Sequence, residues 1–396
     1  MADALSVTLF ALAAVGLAAA VVQAVALRAH LRRADPAPRS ASAPTASILK
    51  PLCGVDDDLE ANLASFAALD YARYEVLLGV RNRKDPAHAV ARAAAARWPG
   101  RFRVVLQRGE PGANPKVNQL VTLAAEARGA LVVVSDSNVR VHSTYLSEIA
   151  GLLEDPAVGL VTHPIAGVGE ERLGSLFDNL HLAGAIAPGV VAAQRLAGRA
   201  VVVGKSMAFR SADLAALGGF SAVKDVLAED YVLGLRVGSR LGKRVVIARR
   251  PVENVSQRRG LGHFLSRYAR WAVLQRQAVG PAVYTAQALL NPVLLACCAF
   301  AAAPGVESLA ALAGTCGAKM AVDGVAAGRL RRGGFRLRQL AAIPAKDLLF
   351  GFAWTYGLLR NEVSWRGNRL RVLPGTLIAP PAGALEPGVI ETAAHS

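Results

Sequence analysis

The chain has 396 residues, 53% of them hydrophobic, and a mean hydropathy of +0.34. That length can bury a sizeable core, and that apolar content is too high for a wholly water-facing protein, so part of it is expected in lipid. Lys and Arg outnumber Asp and Glu by 45 to 29, a net +16, which suits anionic lipid or phosphate-bearing ligands. Cys53, Cys297, Cys298 and Cys316 have neither metal-site spacing nor the density of a disulfide scaffold, and read as reduced apolar fillers.

Leu5 to Leu27 carries no charge over 23 residues. A helix of about 20 such residues crosses a bilayer core. Asp3 precedes it and Arg28, Arg32 and Arg33 follow it, so the charge rule puts the next domain in the cytoplasm. Residues 1–33 are therefore expected to be an anchor, and the Ala/Pro/Ser-rich 34–45 a linker. From Ser47 the pattern alternates. Strands are expected at Ser47–Leu52, Tyr74–Val80, Phe102–Leu106 and Leu131–Val134, with helices at Leu59–Leu69, Asp85–Trp98 and Pro115–Ala127. Such alternation predicts an α/β fold with a mostly parallel sheet and helices on both faces, and ligands bind such sheets beyond the carboxyl ends of the strands. This domain is expected to cover 46–276.

Membrane segments are expected over 277–360 and a cytoplasmic tail over 361–396. Gln277–Gly305 is free of charge and reads as one span. Ser308–Ala327 is interrupted by Lys319 and Asp323, and Gln339–Leu359 by Lys346 and Asp347. Full crossing by both would put Arg360, Arg366, Arg369 and Arg371 outside, against the charge rule. One of the two is therefore expected to be re-entrant or interfacial.

Four constellations could carry chemistry. Asp136-Ser137-Asn138 ends a strand, where a carboxylate can hold a hard cation against a diphosphate; a plain polar turn has the same composition. Glu229-Asp230 is an acidic pair in an apolar stretch, suited to general-base work, or simply to a helix N-terminus. Arg267 and Arg270 share a helix face beside Trp271, as a diphosphate or an anionic lipid surface would want. Between Arg240 and Arg276 ten basic residues face one acid, Glu253. Asn114-Pro115-Lys116 opens a helix whose N–H groups and Lys116 suit an anion, and a capped surface helix looks alike.

The ordered set of these pieces resembles the ceramide glucosyltransferases and their bacterial relatives, including the hopanoid-associated glycosyltransferases. The matching pieces are Leu49 to Gly54, Tyr74 to Leu78, Asp85-Pro86, Asn114 to Asn118, Asp136 to Val141, Gly204 to Met207, Ala228 to Tyr231, Arg267 to Trp271 and Val363 to Arg366. The resemblance implies a glycosyltransferase A (GT-A) fold and inverting transfer from a UDP-sugar to a lipid hydroxyl, with ceramide favoured over a hopanoid, diacylglycerol or polyprenyl lipid. It implies that Asp85, with Lys116, Asn114 and Asn118, helps hold the donor. Asp136 would bind the diphosphate through Mg2+ or Mn2+, Asp230 would be the base with Glu229 tuning it, and Arg267, Arg270 and Trp271 would shape the donor–acceptor junction. Asn138 stands where many such enzymes have a second aspartate, so the metal site is expected to be weaker in charge. The expected setting is the cell inner membrane, multi-pass, with the catalytic domain facing the cytoplasm. Nucleic acid is not an expected partner. A non-catalytic basic adaptor at the membrane surface is the rival from another class.

Overall fold

The computed structural model describes residues 2–33, 43–199, 201–365 and 368–379. Most of the expected linker (34–42), Arg366 and the tail from 380 onward lie outside the described residues.

After helix α1 (Ala2–Leu31), the chain alternates as the periodicity predicts: β1 (Ala46–Pro51), α2 (Leu59–Ala67), β2 (Tyr74–Val80), α3 (Ala87–Arg97), β3 (Phe102–Leu106), α4 (Pro115–Glu126) and β4 (Leu131–Ser135). Next come β5 (Val139–Arg140), α5 (Tyr145–Leu153), β6 (Val158–Thr162), β7 (Ile165–Val168), α6 (Leu173–His181), a π turn at Leu182–Ile186, and α7 (Ala187–Ala197). The domain closes with β8 (Ser206–Arg210), α8 (Ser211–Ala216), α9 (Glu229–Leu241), β9 (Arg244–Ile247), β10 (Val252–Val255) and α10 (Leu261–Val279).

Seven strands form one sheet in the order β3-β2-β1-β4-β8-β6-β9, in which only β8 runs antiparallel to its neighbours. Successive residues of β1 and β4 feed opposite layers. Ile48 and Val133 pack with Phe66 and Tyr145 on one face, and Leu49, Val132 and Val134 pack with Leu120 and Phe209 on the other. The continuous apolar runs of the sequence are thus strands covered on both faces. β8 enters between β4 and β6, so residues at its start meet the carboxyl end of β4.

The remainder is α11 (Pro281–Ala286), α12 (Pro292–Ala302), α13 (Val306–Leu330), α14 (Leu337–Leu340), α15 (Ile343–Leu359) and a small antiparallel sheet of β11 (Glu362–Trp365), β12 (Asn368–Val372) and β13 (Ile378–Ala379). Among the described residues, three helices are long and apolar enough to cross a membrane: α1, the run Leu173–Ala197, and α13. The sequence reading missed Leu173–Ala197, two-thirds of which is buried inside the protein. It also took Gln277–Gly305 as one span. The structure instead bends this stretch by 80° between Pro281–Leu290 and Pro292–Ala302. The break falls where Pro292 removes a backbone donor and the Asn291 side chain caps the second helix, accepting from Leu294 N at 3.1 Å. The weaker-looking Ser308–Ala327 lies within the 25-residue α13, where its charged residues are buried in ion pairs.

The C-terminal sheet docks beside the α/β domain. Ile378 N donates to Asp225 O at 2.8 Å, and Leu227 N donates to Thr376 O at 2.9 Å. Arg331, just past α13, pairs with Glu170 at 2.7 Å, and Arg276 Nε reaches Gly357 O at 2.6 Å.

Candidate active site

Four sequence-distant pieces converge at the carboxyl end of β4. Asp136 follows β4, Lys116 sits in the first turn of α4, Gly204-Lys205 lead into β8, and Glu229-Asp230 open α9. Lys116 Nζ is 2.9 Å from Asp136 Oδ1 and 2.9 Å from Glu229 Oε1. Lys205 Nζ is 3.0 Å from Asp136 Oδ2 and donates to Asn138 Oδ1 at 2.8 Å. Behind them Lys50, fully buried, donates to the Asp136 carbonyl at 2.8 Å and lies 3.8 Å from the centre of the Phe66 ring.

The electrostatics follow from these neighbours. Burial would raise the Asp136 carboxyl, but the two ammonium groups on it hold it well below the usual carboxylate range. Burial likewise works against Lys116, and Asp136, Glu229 and Asp230 together keep it firmly protonated. Lys50 lacks such compensation: burial pushes it down to about 7 against the pull of Asp136. Asp230 is the carboxylate that moves the other way. Burial and then the charge of Glu229 push it up to about 6, although Lys116 and the N–H groups of Tyr231 and Gly204 oppose the shift. Two adjacent carboxyls are thereby separated in role: Glu229 is bound to Lys116, while Asp230 is a weaker acid poised near neutrality.

Gly204 matters to that poise. Its N–H donates to Asp230 Oδ2 at 2.5 Å, and a Cβ at this position would lie 2.8 Å from the same oxygen. The start of β8 is fixed from behind, where the Ser206 hydroxyl is 2.7 Å from Tyr145 Oη and 2.8 Å from His163 Nδ1.

These groups open into a cavity of about 1230 Å³ whose lining includes Lys116, Asp136, Asn138, Lys205, Asp230 and Trp271. Glu229, Arg267 and Arg270 line it as well. Its remaining walls come from α1, α7, the Leu290–Asn291 bend and α15. Arg267 is anchored by Asp178 of α6 at 2.7 Å, and Tyr268 Oη donates to the other oxygen of that carboxylate at 2.8 Å. The guanidinium lies 4.8 Å from the Trp271 ring centre. Arg267 therefore holds the Trp271 wall in place rather than reaching freely into the cavity.

Three of the expected donor-binding residues lie off the cavity lining. Asp85 Oδ1 accepts from Gly54 N and Ala87 N, both at 2.9 Å, joining the turn after β1 to the start of α3. Asn114 caps α4, accepting from Lys116 N at 3.0 Å and Val117 N at 3.2 Å, and donates to Val226 O at 2.7 Å. Asn118 holds Gly112 through both its backbone groups at 2.8 and 2.9 Å. The last two position Lys116. Lys205, Lys50 and Asp178 were not singled out as site residues from sequence. Gly204-Lys205 stood in a matching piece, but only the fold shows that it meets Asp136.

Asp136 and Asn138 carry one carboxylate and one amide oxygen suited to a metal, oxygens that Lys116 and Lys205 hold in this structure, and the described residues hold no cluster of three or more His, Cys, Asp or Glu. One carboxylate with diphosphate oxygens and water is a donor set that Mg2+ or Mn2+ accepts, so the residues fit a metal that arrives with the donor.

The sequence profile of glycosyl transferase family 21 matches residues 8–378. Ceramide glucosyltransferase 3 of Caenorhabditis elegans is 28% identical over 236 residues, 59% of this chain and 51% of that protein. Ceramide glucosyltransferase of Komagataella phaffii is 32% identical over 106 residues, 26% of this chain and 21% of that protein. The chain thus spans about half the length of the first of these relatives and less of the second. Among solved structures, the mannosyltransferase PcManGT from Pyrobaculum calidifontis, in complex with GDP-Man and Mn2+, aligns over 90% of this chain and 99% of its own with a TM-score of 0.56 at 20% identity. That likeness makes the fold a GT-A fold, and the profile match over nearly the whole chain places this protein in glycosyl transferase family 21.

Proposed function

We propose that this protein transfers a hexose from a UDP-sugar to the hydroxyl of a membrane lipid, most simply ceramide, with inversion at the anomeric carbon. The observation that carries this reading is the single cavity joining the Asp136–Lys116–Asp230 centre to walls made of apolar helices. A basic adaptor would not need a carboxylate pushed toward neutrality at the end of such a cavity.

The acceptor hydroxyl attacks the anomeric carbon as the bond to the leaving UDP breaks, and its proton passes to Asp230. Glu229, bound to Lys116, keeps Asp230 basic enough to take it. Lys116, Lys205 and Arg270 face the charge that grows on the diphosphate, where one preorganised donor is worth about 3 kcal/mol. Asp136 and Asn138 would hold Mg2+ or Mn2+, which supplies further neutralisation of that charge when bound. Trp271, held by Arg267 and Asp178, walls the junction. Because the acceptor approaches in the membrane plane, it need only present its headgroup, which lowers the orientational cost.

The topology we propose keeps the catalytic domain at the cytoplasmic face of the cell inner membrane, with α1 as anchor and α13 crossing. In this arrangement α15 is re-entrant, starting where Lys346 and Asp347 meet Lys319 and Asp323 inside α13. Its 17 residues span about 25 Å, less than a bilayer core. The Arg331–Glu170 and Arg276–Gly357 contacts tie the start of the α14–α15 segment and the end of α15 to the catalytic domain's side.

Membranes expressing the chain, given UDP-glucose, UDP-galactose, UDP-glucuronate or UDP-N-acetylglucosamine with ceramide, diacylglycerol or a hopanoid polyol, test the reading. Glycosylated ceramide that disappears in Asp230→Asn supports it. Product on another lipid alone moves the acceptor assignment, and undiminished product from Asp230→Asn removes Asp230 as the base.

A further inference from the structure

The cavity has a second polar end. Lys319 and Asp323 pair along α13 at 2.5 Å, and Lys346 and Asp347 pair at the start of α15 at 2.5 Å. The cross-distances Lys319–Asp347 and Lys346–Asp323 are both 3.9 Å. All four residues are buried. Ionisable groups at membrane depth are costly and mark functional paths. The chain also makes room for this one: Gly184, in the π turn, would place a Cβ 2.4 Å from Asp323 Oδ2. π turns are frequent at functional sites.

A purely structural ion cluster would have its polar atoms satisfied. Here Asp347 Oδ2, His181 Nδ1 and Trp354 Nε1 are buried without a hydrogen-bond partner, and all three residues line the cavity that holds Asp230. Asn291, at the helix bend, lines it too and donates to the Asp347 carbonyl at 2.8 Å. The set offers an open acceptor at Asp347, an open donor at Trp354, and an imidazole nitrogen able to serve as either. Its charges cancel, two against two, unlike the basic residues around Arg267 and Arg270.

We propose that Asp347, His181 and Trp354 form a headgroup subsite for an uncharged lipid that carries both hydrogen-bond donors and acceptors, such as an amide-diol or polyol, and that this subsite selects against phosphate-bearing lipids. Within the lipid-glycosylation reading, on which it rests, this site turns the acceptor so that one hydroxyl faces Asp230. Electroneutrality supplies the selection: a phosphate would meet the Asp347 carboxylate with no surplus cation to compensate it.

The test is direct binding, separate from turnover. Protein in nanodiscs is titrated with radiolabelled short-chain ceramide, and short-chain phosphatidic acid is the competitor. Wild-type protein is expected to bind ceramide with little competition. Trp354→Phe, which removes the N–H and keeps a ring against Tyr284, and Asp347→Asn are each expected to weaken binding about tenfold. Retained UDP binding and a cooperative melting transition, lowered in Asp347→Asn by the unpaired Lys346, report that each variant is folded. Undiminished ceramide binding by both folded variants, no ceramide binding by wild type, or equal competition by phosphatidic acid would each overturn the subsite. Ceramide binding by wild type without transfer to any lipid would keep the subsite and overturn the catalytic reading; transfer with the same ceramide KM in both variants would do the reverse.

Discussion

Two buried ion clusters face one cavity, and they are built to opposite ends. At the end of β4, three lysines and three acids meet across five chain segments, and burial with unequal pairing leaves Lys50 and Asp230 displaced toward neutrality. Between α13 and α15, two lysines and two acids pair one to one, each lysine with the acid on its own helix. The difference teaches how burial is used. In the transfer we propose, the first cluster holds charge where charge develops and departs. The second is neutral in sum, so its polarity offers hydrogen bonds rather than a field.

The largest effect that would sharpen this contrast is at Asp230. Asp230→Asn is expected to lower transfer about 10²–10⁴-fold, measured as labelled lipid product, with UDP binding retained. Near-normal turnover would erase the distinction between Asp230 and its neighbours. The cluster between α13 and α15 should answer in stability instead. Asp323→Asn leaves Lys319 and Lys346 short of one counter-charge, and is expected to destabilise by about 3–5 kcal/mol, seen as a lower Tm in detergent. Lys319→Met with Asp323→Leu should recover most of that loss, because a charge-free pair of similar volume has no unpaired ion. A double variant no more stable than the single one would mean that the cluster is not a set of pairs.

Lys205→Met is expected to reduce kcat about 10²-fold with a smaller change in KM, since in the proposed mechanism its charge is needed most as the leaving group departs. Equal loss in donor affinity would move Lys205 to ground-state binding. In pH, kcat/KM should fall as pH drops through about 6, because Asp230, as the proposed base, must be deprotonated to act. The same raised pKa makes a contribution to stability that is full below the ordinary carboxylate range and is lost as pH rises through about 6. The profile of Asp230→Glu, compared with wild type, identifies the group. The smallest effect is expected on the surface: Arg81→Ala removes a 2.5 Å pair with Glu110, both half-exposed or more, and should move Tm by less than about 2 °C.

By itself the sequence determined the local structure and the chemistry at hand. Seven elements from Ser47 to Ser135 were legible because apolar runs and 3.6-residue spacing depend only on near neighbours. Asn114-Pro115 announced a helix start for the same reason, and Asp136, Glu229 and Asp230 stood out as acids where burial makes acids expensive. The uncharged run near the N-terminus likewise corresponds to the long apolar helix α1. Tertiary structure alone decided who pairs with whom. Lys205 meets Asp136, 69 residues away, because β8 inserts antiparallel between β4 and β6. Asn114 and Asn118, expected from sequence as donor ligands, hold backbone in the folded chain, and a side-chain amide has no way to declare that partner in advance. Arg267 is held by Asp178 from another helix, and Gln277–Gly305 is bent where hydropathy saw one span. Hydropathy adds up residues and is blind to a break at Asn291-Pro292; Coulomb energy depends on distances that only the folded chain supplies.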